Sequence, residues 1–263
     1  MEATELVHRS VSQHNTYAQC AYRYKLEKLD KVWQRPAAWL SQGTAVHAAL
    51  EAWERSGREM SLEQMQEVFA EEYAKSNAEM TEHTPNFDFW FASGPYKGEV
   101  DLERRYGIGL EQCEKLIEWY TKHPEEKIWI TPDGTPAIEL AFEVTLDGVL
   151  VRGYIDCVME TPGGLVVRDL KSGNLPGDTF QLATYAAAMK QMYGVDIVKG
   201  DYLMGKTGKP TLVYDLSETP YNEVAAAFKR LDENVKAGEF PADPDAKKCM
   251  FCSVSSSCEF AFG

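Results

Sequence analysis

The spacing of apolar positions changes character midway along the chain. Up to about residue 130 it follows helices. Residues 10–30, with Tyr17, Cys20, Tyr22, Tyr24 and Leu26, predict one helix. Gly43 precedes a second, Thr44 to Arg55, with Val46, Leu50 and Trp53 on one face. Ser61 followed by Gln64 reads as a capping box opening a helix to about Met80. A loop rich in aromatic and turn residues follows, with Pro85, Phe87, Phe89, Trp90, Phe91, Gly94 and Pro95. Another helix is expected from about Leu102 to His123, with Gly107 and Gly109 weakening its pattern. From residue 137 the pattern turns to strands: Ala137–Leu146, Val149–Glu160 and Leu165–Leu170. Asp147-Gly148 and Pro162-Gly163-Gly164 separate them as hairpin turns, so the three predict an antiparallel meander. A helix from Thr179 to Tyr193 comes next, then strands Val198–Met204 and Thr211–Asp215. Pro220 suits the first turn of a last helix ending near Gly238. The tail, Glu239 to Gly263, reads as a loop with three cysteines.

This order predicts an α/β fold, a mixed sheet core flanked by helices. Four regions are expected: N-terminal helices (1–56), a helical insertion (57–130), the sheet core (131–238) and a cysteine loop (239–263). The 263 residues are 44% hydrophobic, enough for a sizeable core. No run of about 18 apolar residues exists to cross a membrane. Met1 to Ser10 is polar and lacks the apolar centre of a signal peptide. Both point to the cytoplasm, where thiols stay reduced, so the six cysteines predict metal or redox chemistry rather than disulfides. The net charge of −14 argues against broad coating of duplex DNA. It leaves room for a narrow site whose positive charge is local.

The chemistry concentrates in Gly153-Tyr154-Ile155-Asp156 and Val166-Val167-Arg168-Asp169-Leu170-Lys171. Residues two apart on a strand share a face, so Asp169 and Lys171 project together, and the hairpin can bring Asp156 beside them. Two carboxylates with a lysine suit a hard divalent cation such as magnesium or manganese. Such a cation lowers the pKa of bound water and polarises a phosphate, while the lysine steadies developing negative charge.

Gly-Tyr-Ile-Asp, a turn, an apolar strand and Asp-Leu-Lys-Ser-Gly resemble the core of RecB-like nucleases of the PD-(D/E)XK, restriction-endonuclease-like, superfamily. Gly43-Thr44-Ala45-Val46-His47 resembles that family's upstream Gly-x-x-x-His helix. Gln181-Leu182-Ala183-Thr184-Tyr185 resembles its Gln-x-x-x-Tyr helix. Glu139 stands where members often carry a glutamate on the first strand, with Glu143 as a competitor on the same face. The resemblance spans residues 10–55 and 137–260. It implies metal binding by His47, Asp156, Asp169 and the Leu170 carbonyl, with Lys171 as the catalytic lysine. Gln181 and Tyr185 would contact the substrate backbone or the attacking water. The implied reaction is hydrolysis of a DNA phosphodiester.

Cys249-x-x-Cys252-x5-Cys258, with Cys20 far upstream, offers four thiolates. Zinc and iron–sulfur clusters both accept such a set, and spacing does not choose between them. One N-terminal and three C-terminal cysteines resemble the iron–sulfur staple of AddB-type nucleases. They also resemble stand-alone CRISPR-associated exonucleases, which phages carry too. That resemblance implies a [4Fe-4S] cluster in place of Zn2+, although Ala21 stands where relatives often have proline. The two remaining cysteines, Cys113 and Cys157, are expected in the core.

The run Asn86-Phe87-Asp88-Phe89-Trp90-Phe91 is expected to build the core of a small helical lobe, with base stacking as the other reading. Arg104, Arg105, Lys190, Lys199, Lys206 and Lys209 could give a local positive path. The leading expectation is an exonuclease acting on single-stranded DNA ends in recombination, replication or repair. The alternatives are a catalytically silent DNA-binding adaptor and a zinc-stapled interaction module without a nucleic-acid ligand.

Overall fold

The structure is a computed structural model and describes residues 8–217, 219 and 221–261. The expectations that rest on Met1–Val7 and on Pro220 lie outside these residues.

The first predicted helix is two. Helix α1, Val11–Gln19, is capped by Ser10, whose side chain accepts from the Gln13 amide. It stops at Cys20, which takes an extended backbone. Helix α2, Ala21–Tyr24, then runs into a π-helical turn, Lys25–Leu29. Helix α3, Ala38–Arg55, begins well before the expected Thr44, so Gly43 lies inside it. The extra residues have a core to enter, since Ala38, Ser41 and Gln42 are all buried. Helix α4, Leu62–His83, opens on the Ser61–Gln64 capping box, formed in both directions. Helix α5, Gly98–Lys122, runs straight through Gly107 and Gly109. A Cβ at Gly109 would come within 2.0 Å of the Phe69 ring, so glycine there lets α4 and α5 close together. Propensity yields to packing.

The strands are β1, Lys127–Ile128; β2, Ile138–Leu146; β3, Val149–Thr161; β4, Gly164–Lys171; β5, Lys199–Met204; β6, Lys209–Pro210; and β7, Tyr214–Asp215. The expected strand Thr211–Asp215 thus shrinks to its last two residues. Leu212 is 91% exposed, so the apolar pair Leu212-Val213 has no face to bury. Helix α6, Phe180–Tyr193, lies between β4 and β5. Helix α7, Tyr221–Ala237, follows β7, and the tail is not all loop: Asp245 caps a short helix α8, Ala246–Met250.

β2, β3 and β4 form the antiparallel meander, with Leu140 opposite Ile155 and Cys157 opposite Arg168. β5 then pairs parallel to β4, which needs the crossover that α6 supplies. One core packs Leu140, Phe142, Val144, Ile155 and Val167 against Leu182, Tyr185 and Met189 of α6 and Phe228 of α7. The other packs Cys157, Met159, Leu170 and Leu203 against Val46 and Trp53 of α3, Phe69 of α4 and Leu116 of α5. The sheet is therefore covered on both faces. Residues 62–122 share the second core with α3 and the strands.

Arg168 interrupts this second core. Its guanidinium meets Asp201 through two bonds of 2.7 and 2.8 Å, and Glu126 at 2.5 Å. Arg168 and Asp201 are both almost fully buried. A fully paired charge of this kind is costly to break from one side.

Candidate metal and nuclease site

The β3–β4 ladder ends at Cys157↔Arg168. One residue further on, Asp156 has no backbone partner in β4. Its side chain takes over, with Oδ2 accepting from the Leu170 amide at 2.8 Å. The strands part here, and α3 and α6 close on the gap from opposite sides.

From α3 comes His47, whose Nδ1 lies 3.4 Å from Asp156 Oδ2 and 3.8 Å from Glu139 Oε1. Gly43 makes this approach possible. It lies one turn before His47, and a Cβ on it would sit 3.1 Å from Ser172 Oγ, just beyond Lys171. Glu139 reaches the site from a left-handed backbone conformation (φ 43°) unusual for a non-glycine residue inside a strand. His47, Glu139 and Asp156 each place one ligand atom within 4.8 Å of the others. Glu143 is elsewhere, in an exposed ion pair with Arg152.

From α6 come Gln181 and Tyr185, four residues apart on one face. Lys171 Nζ donates to Gln181 Oε1 at 2.9 Å, and Gln181 Nε2 donates to the Tyr185 hydroxyl at 2.8 Å. That hydroxyl lies 3.3 Å from Asp156 Oδ1 and 3.2 Å from Asp169 Oδ1. Both ends of the Gln181 amide are therefore engaged inside the protein, and Tyr185 is buried. Asp169 Oδ2 is 2.7 Å from Lys171 Nζ but out of line for a hydrogen bond, leaving a buried carboxylate oxygen without one. The Lys171 ammonium also lies 5.8 Å from the centre of the Tyr202 ring. Leu170 contributes its amide to Asp156.

The electrostatics are those of crowded carboxylates. Burial and the neighbouring Asp169 push Asp156 up to about 7, against the pull of His47. Burial raises Asp169 too, opposed by Lys171. Burial works against a charged His47, yet Glu139, Asp156 and Asp169 together raise it to about 9. This excess of negative charge, with an orphaned carboxylate oxygen, fits a divalent cation such as magnesium or manganese, for which carboxylates are the preferred donors and His47 would add one imidazole nitrogen.

The four predicted cluster cysteines also come together. Cys20, Cys249, Cys252 and Cys258 line one cavity of about 400 Å³, and all are partly exposed free thiols. They surround the cavity without converging as His47, Glu139 and Asp156 do, since no three of them come within 4.8 Å of one another. The break at Cys20 is what turns it to the tail, where the Asp243 amide meets its sulfur at 3.5 Å. The two chain ends are held by other contacts as well: Tyr17 to the Glu239 carbonyl, Tyr22 to Glu259, and Ser253 to Glu27. Cys113 and Cys157 are buried, as expected, and burial pushes the Cys113 thiol up to about 12.

The aromatic run divides. Trp90 and Phe91 are buried, whereas Phe89 is exposed. Of the six scattered cations, Arg104, Arg105 and Lys206 line one groove. Lys190 pairs with Asp196, and Lys199 bonds the Gly163 carbonyl. Sequence reasoning gave no role to Gln42 and Gln112. Both are buried, and they carry a hydrogen-bond chain from α3 through α5 to the Ser172 carbonyl. Nothing in the sequence marks either glutamine as buried.

Residues 8–259 match the PD-(D/E)XK nuclease superfamily, and the chain belongs to it. It is similar to the Gene 69 protein of Mycobacterium phage D29, 51% identical and covering 98% of both chains. It is also similar to the Gene 69 protein of Mycobacterium phage L5, 48% identical and covering 95% of both. Among solved structures, one titled "Crystal structure of SSO0001" matches at 14% identity and a TM-score of 0.33, over 61% of this chain and 79% of that one.

Proposed function

We propose that the protein is a magnesium- or manganese-dependent deoxyribonuclease that hydrolyses phosphodiester bonds from single-stranded DNA ends. The observation that carries this reading is the meeting of His47, Glu139 and Asp156 beside an orphaned oxygen of Asp169 and the Lys171 ammonium.

His47, Glu139, Asp156 and Asp169 would hold the cation. When bound, it would polarise the scissile phosphate and make water acidic enough to attack. Lys171 is fixed by Gln181 and Asp169. An ammonium has three N–H donors, of which Gln181 accepts one, so it can also face the phosphate, where it steadies the charge that develops during attack. Gln181 and Tyr185 act as positioning residues, setting the direction of Lys171 and of the two aspartates. Exonuclease action fits an acidic chain with a confined site better than broad duplex binding does. The similarity to two mycobacteriophage proteins fits a phage protein, and a nuclease of this kind would serve recombination, replication or repair.

We further propose a [4Fe-4S] cluster on Cys20, Cys249, Cys252 and Cys258. Tetrahedral zinc would hold all four sulfurs about 3.8 Å from one another, whereas no three of these thiols lie within 4.8 Å of one another. A cubane, with iron and sulfur between the thiolates, needs the wider arrangement. Its role would be structural, tying together residues more than 220 positions apart.

Linear and circular single-stranded DNA of one sequence separate exonuclease from endonuclease. Manganese-dependent loss of the linear substrate alone is expected. Equal loss of both would replace the exonuclease reading with an endonuclease.

A further inference from the structure

The chain carries 41 acidic and 27 basic residues, yet beside the carboxylate cluster it opens a groove of about 770 Å³ with no acidic residue among its described lining. Three cations line it: Arg104 and Arg105 of α5, and Lys206. Each is held in place. Arg105 donates to Gln42 and Ser93 at 3.0 Å and lies 5.8 Å from the centre of Trp39. Arg104 lies 4.5 Å from the Tyr96 ring centre and 3.5 Å from Asp101, with its side chain 37% exposed. Lys206 donates to Asn174 at 2.7 Å.

The groove is joined to the proposed catalytic strand at two points. One wall is Ser172-Gly173-Asn174, the three residues that follow Lys171. Lys206 sits on the turn after β5, where the Gly205 amide donates to the Lys171 carbonyl at 2.9 Å. Trp39, Leu40 and Phe251 add aromatic and apolar surface to the lining, the last two well exposed.

We propose that this groove is a single-strand binding track: Arg104, Arg105 and Lys206 hold backbone phosphates, and Phe251 and Trp39 offer faces for bases, next to the Lys171 site. The inference rests on the nuclease reading for the identity of the strand as DNA. Three cations and stacking faces suit a few nucleotides of one strand. Duplex binding of the ordinary kind needs a broader basic surface.

The test is fluorescence anisotropy of a labelled oligo-dT with the full chain in chelator, so that nothing is cleaved, between 50 and 200 mM salt. Arg104→Ala with Lys206→Ala is compared with wild type and with Lys190→Ala plus Lys229→Ala, whose lysines pair with acids outside the groove. The groove variant is expected to bind roughly tenfold more weakly. Its log–log salt slope should fall by about 1.4, or 0.7 for each phosphate no longer neutralised. Phe251→Ala should weaken binding with little change of slope. The control pair should behave as wild type. An unchanged slope and affinity in the groove variant, with circular dichroism showing it folded, would overturn the track, as would wild type that binds no oligo-dT. If binding follows this pattern while wild type cleaves no DNA in manganese, the track stands and the nuclease reading falls.

Discussion

Gly43 and Ser172 face each other so closely that a Cβ on the first would lie 3.1 Å from the hydroxyl of the second. That approach sets how near α3 comes to the end of β4, and so how near His47 comes to Asp156. Ser172 Oγ can give by a few tenths of an ångström. Gly43→Ala is therefore expected to keep activity within about threefold, helped by alanine's gain of about 1 kcal/mol in helix propensity. Gly43→Leu cannot be absorbed so, and should cost about a hundredfold in kcat by displacing His47. Paired activity assays and thermal melts of both variants check this.

Removing Arg168 leaves the buried Asp201 and the half-buried Glu126 without their shared cation. Arg168→Met should cost about 3–5 kcal/mol. Arg168→Met with Asp201→Leu should recover much of it, because the uncompensated Asp201 charge goes too. Urea denaturation of the three proteins measures both effects.

A cation held by His47 and Asp156 would have to displace protons. His47 is raised to about 9 and Asp156 to about 7, so at pH 6 both carry a proton that a metal ligand cannot keep. Manganese affinity should therefore climb as pH rises from 6 to 9, with proton release on binding. Calorimetry in buffers of different ionisation enthalpy reads the released protons directly. Affinity independent of pH would mean that His47 and Asp156 do not hold the ion.

Anaerobically purified protein should carry four irons and four acid-labile sulfides per chain. Cys20→Ser should lose most of the iron and lower the melting temperature, since the tie between the chain ends is gone. Cys113→Ala, in the core away from the tail, should keep its iron. Zinc in place of iron would contradict the cluster.

Much of the candidate site was legible because it sits on short-range signals. The Asp156 and Asp169-x-Lys171 strands, the Gly43–His47 turn and the Gln181–Tyr185 face are each a few residues long. The meander that joins the strands is announced by Asp147-Gly148 and Gly163-Gly164. Less legible was whatever depends on distant partners. The break at Cys20 depends on where the tail docks, and the start of α3 on the core that covers Ala38 and Ser41. The unbroken course of α5 past Gly109 depends on a ring from α4. Leu212 and Val213 look like a strand in sequence and are not one, because no face covers them. The groove escaped notice as a unit because its cations come from α5 and from the turn after β5, about a hundred residues apart.

Lys171 and the carboxylates around it are proposed to cleave DNA. End-labelled single-stranded DNA with manganese, wild type beside Lys171→Ala, tests it most directly. Wild type should degrade the strand, chelator should stop it, and Lys171→Ala should lose at least about a thousandfold in rate while still folding and binding manganese. Inactive wild type with its metal bound, or a Lys171→Ala protein as active as wild type, would mean that this site does not cleave DNA.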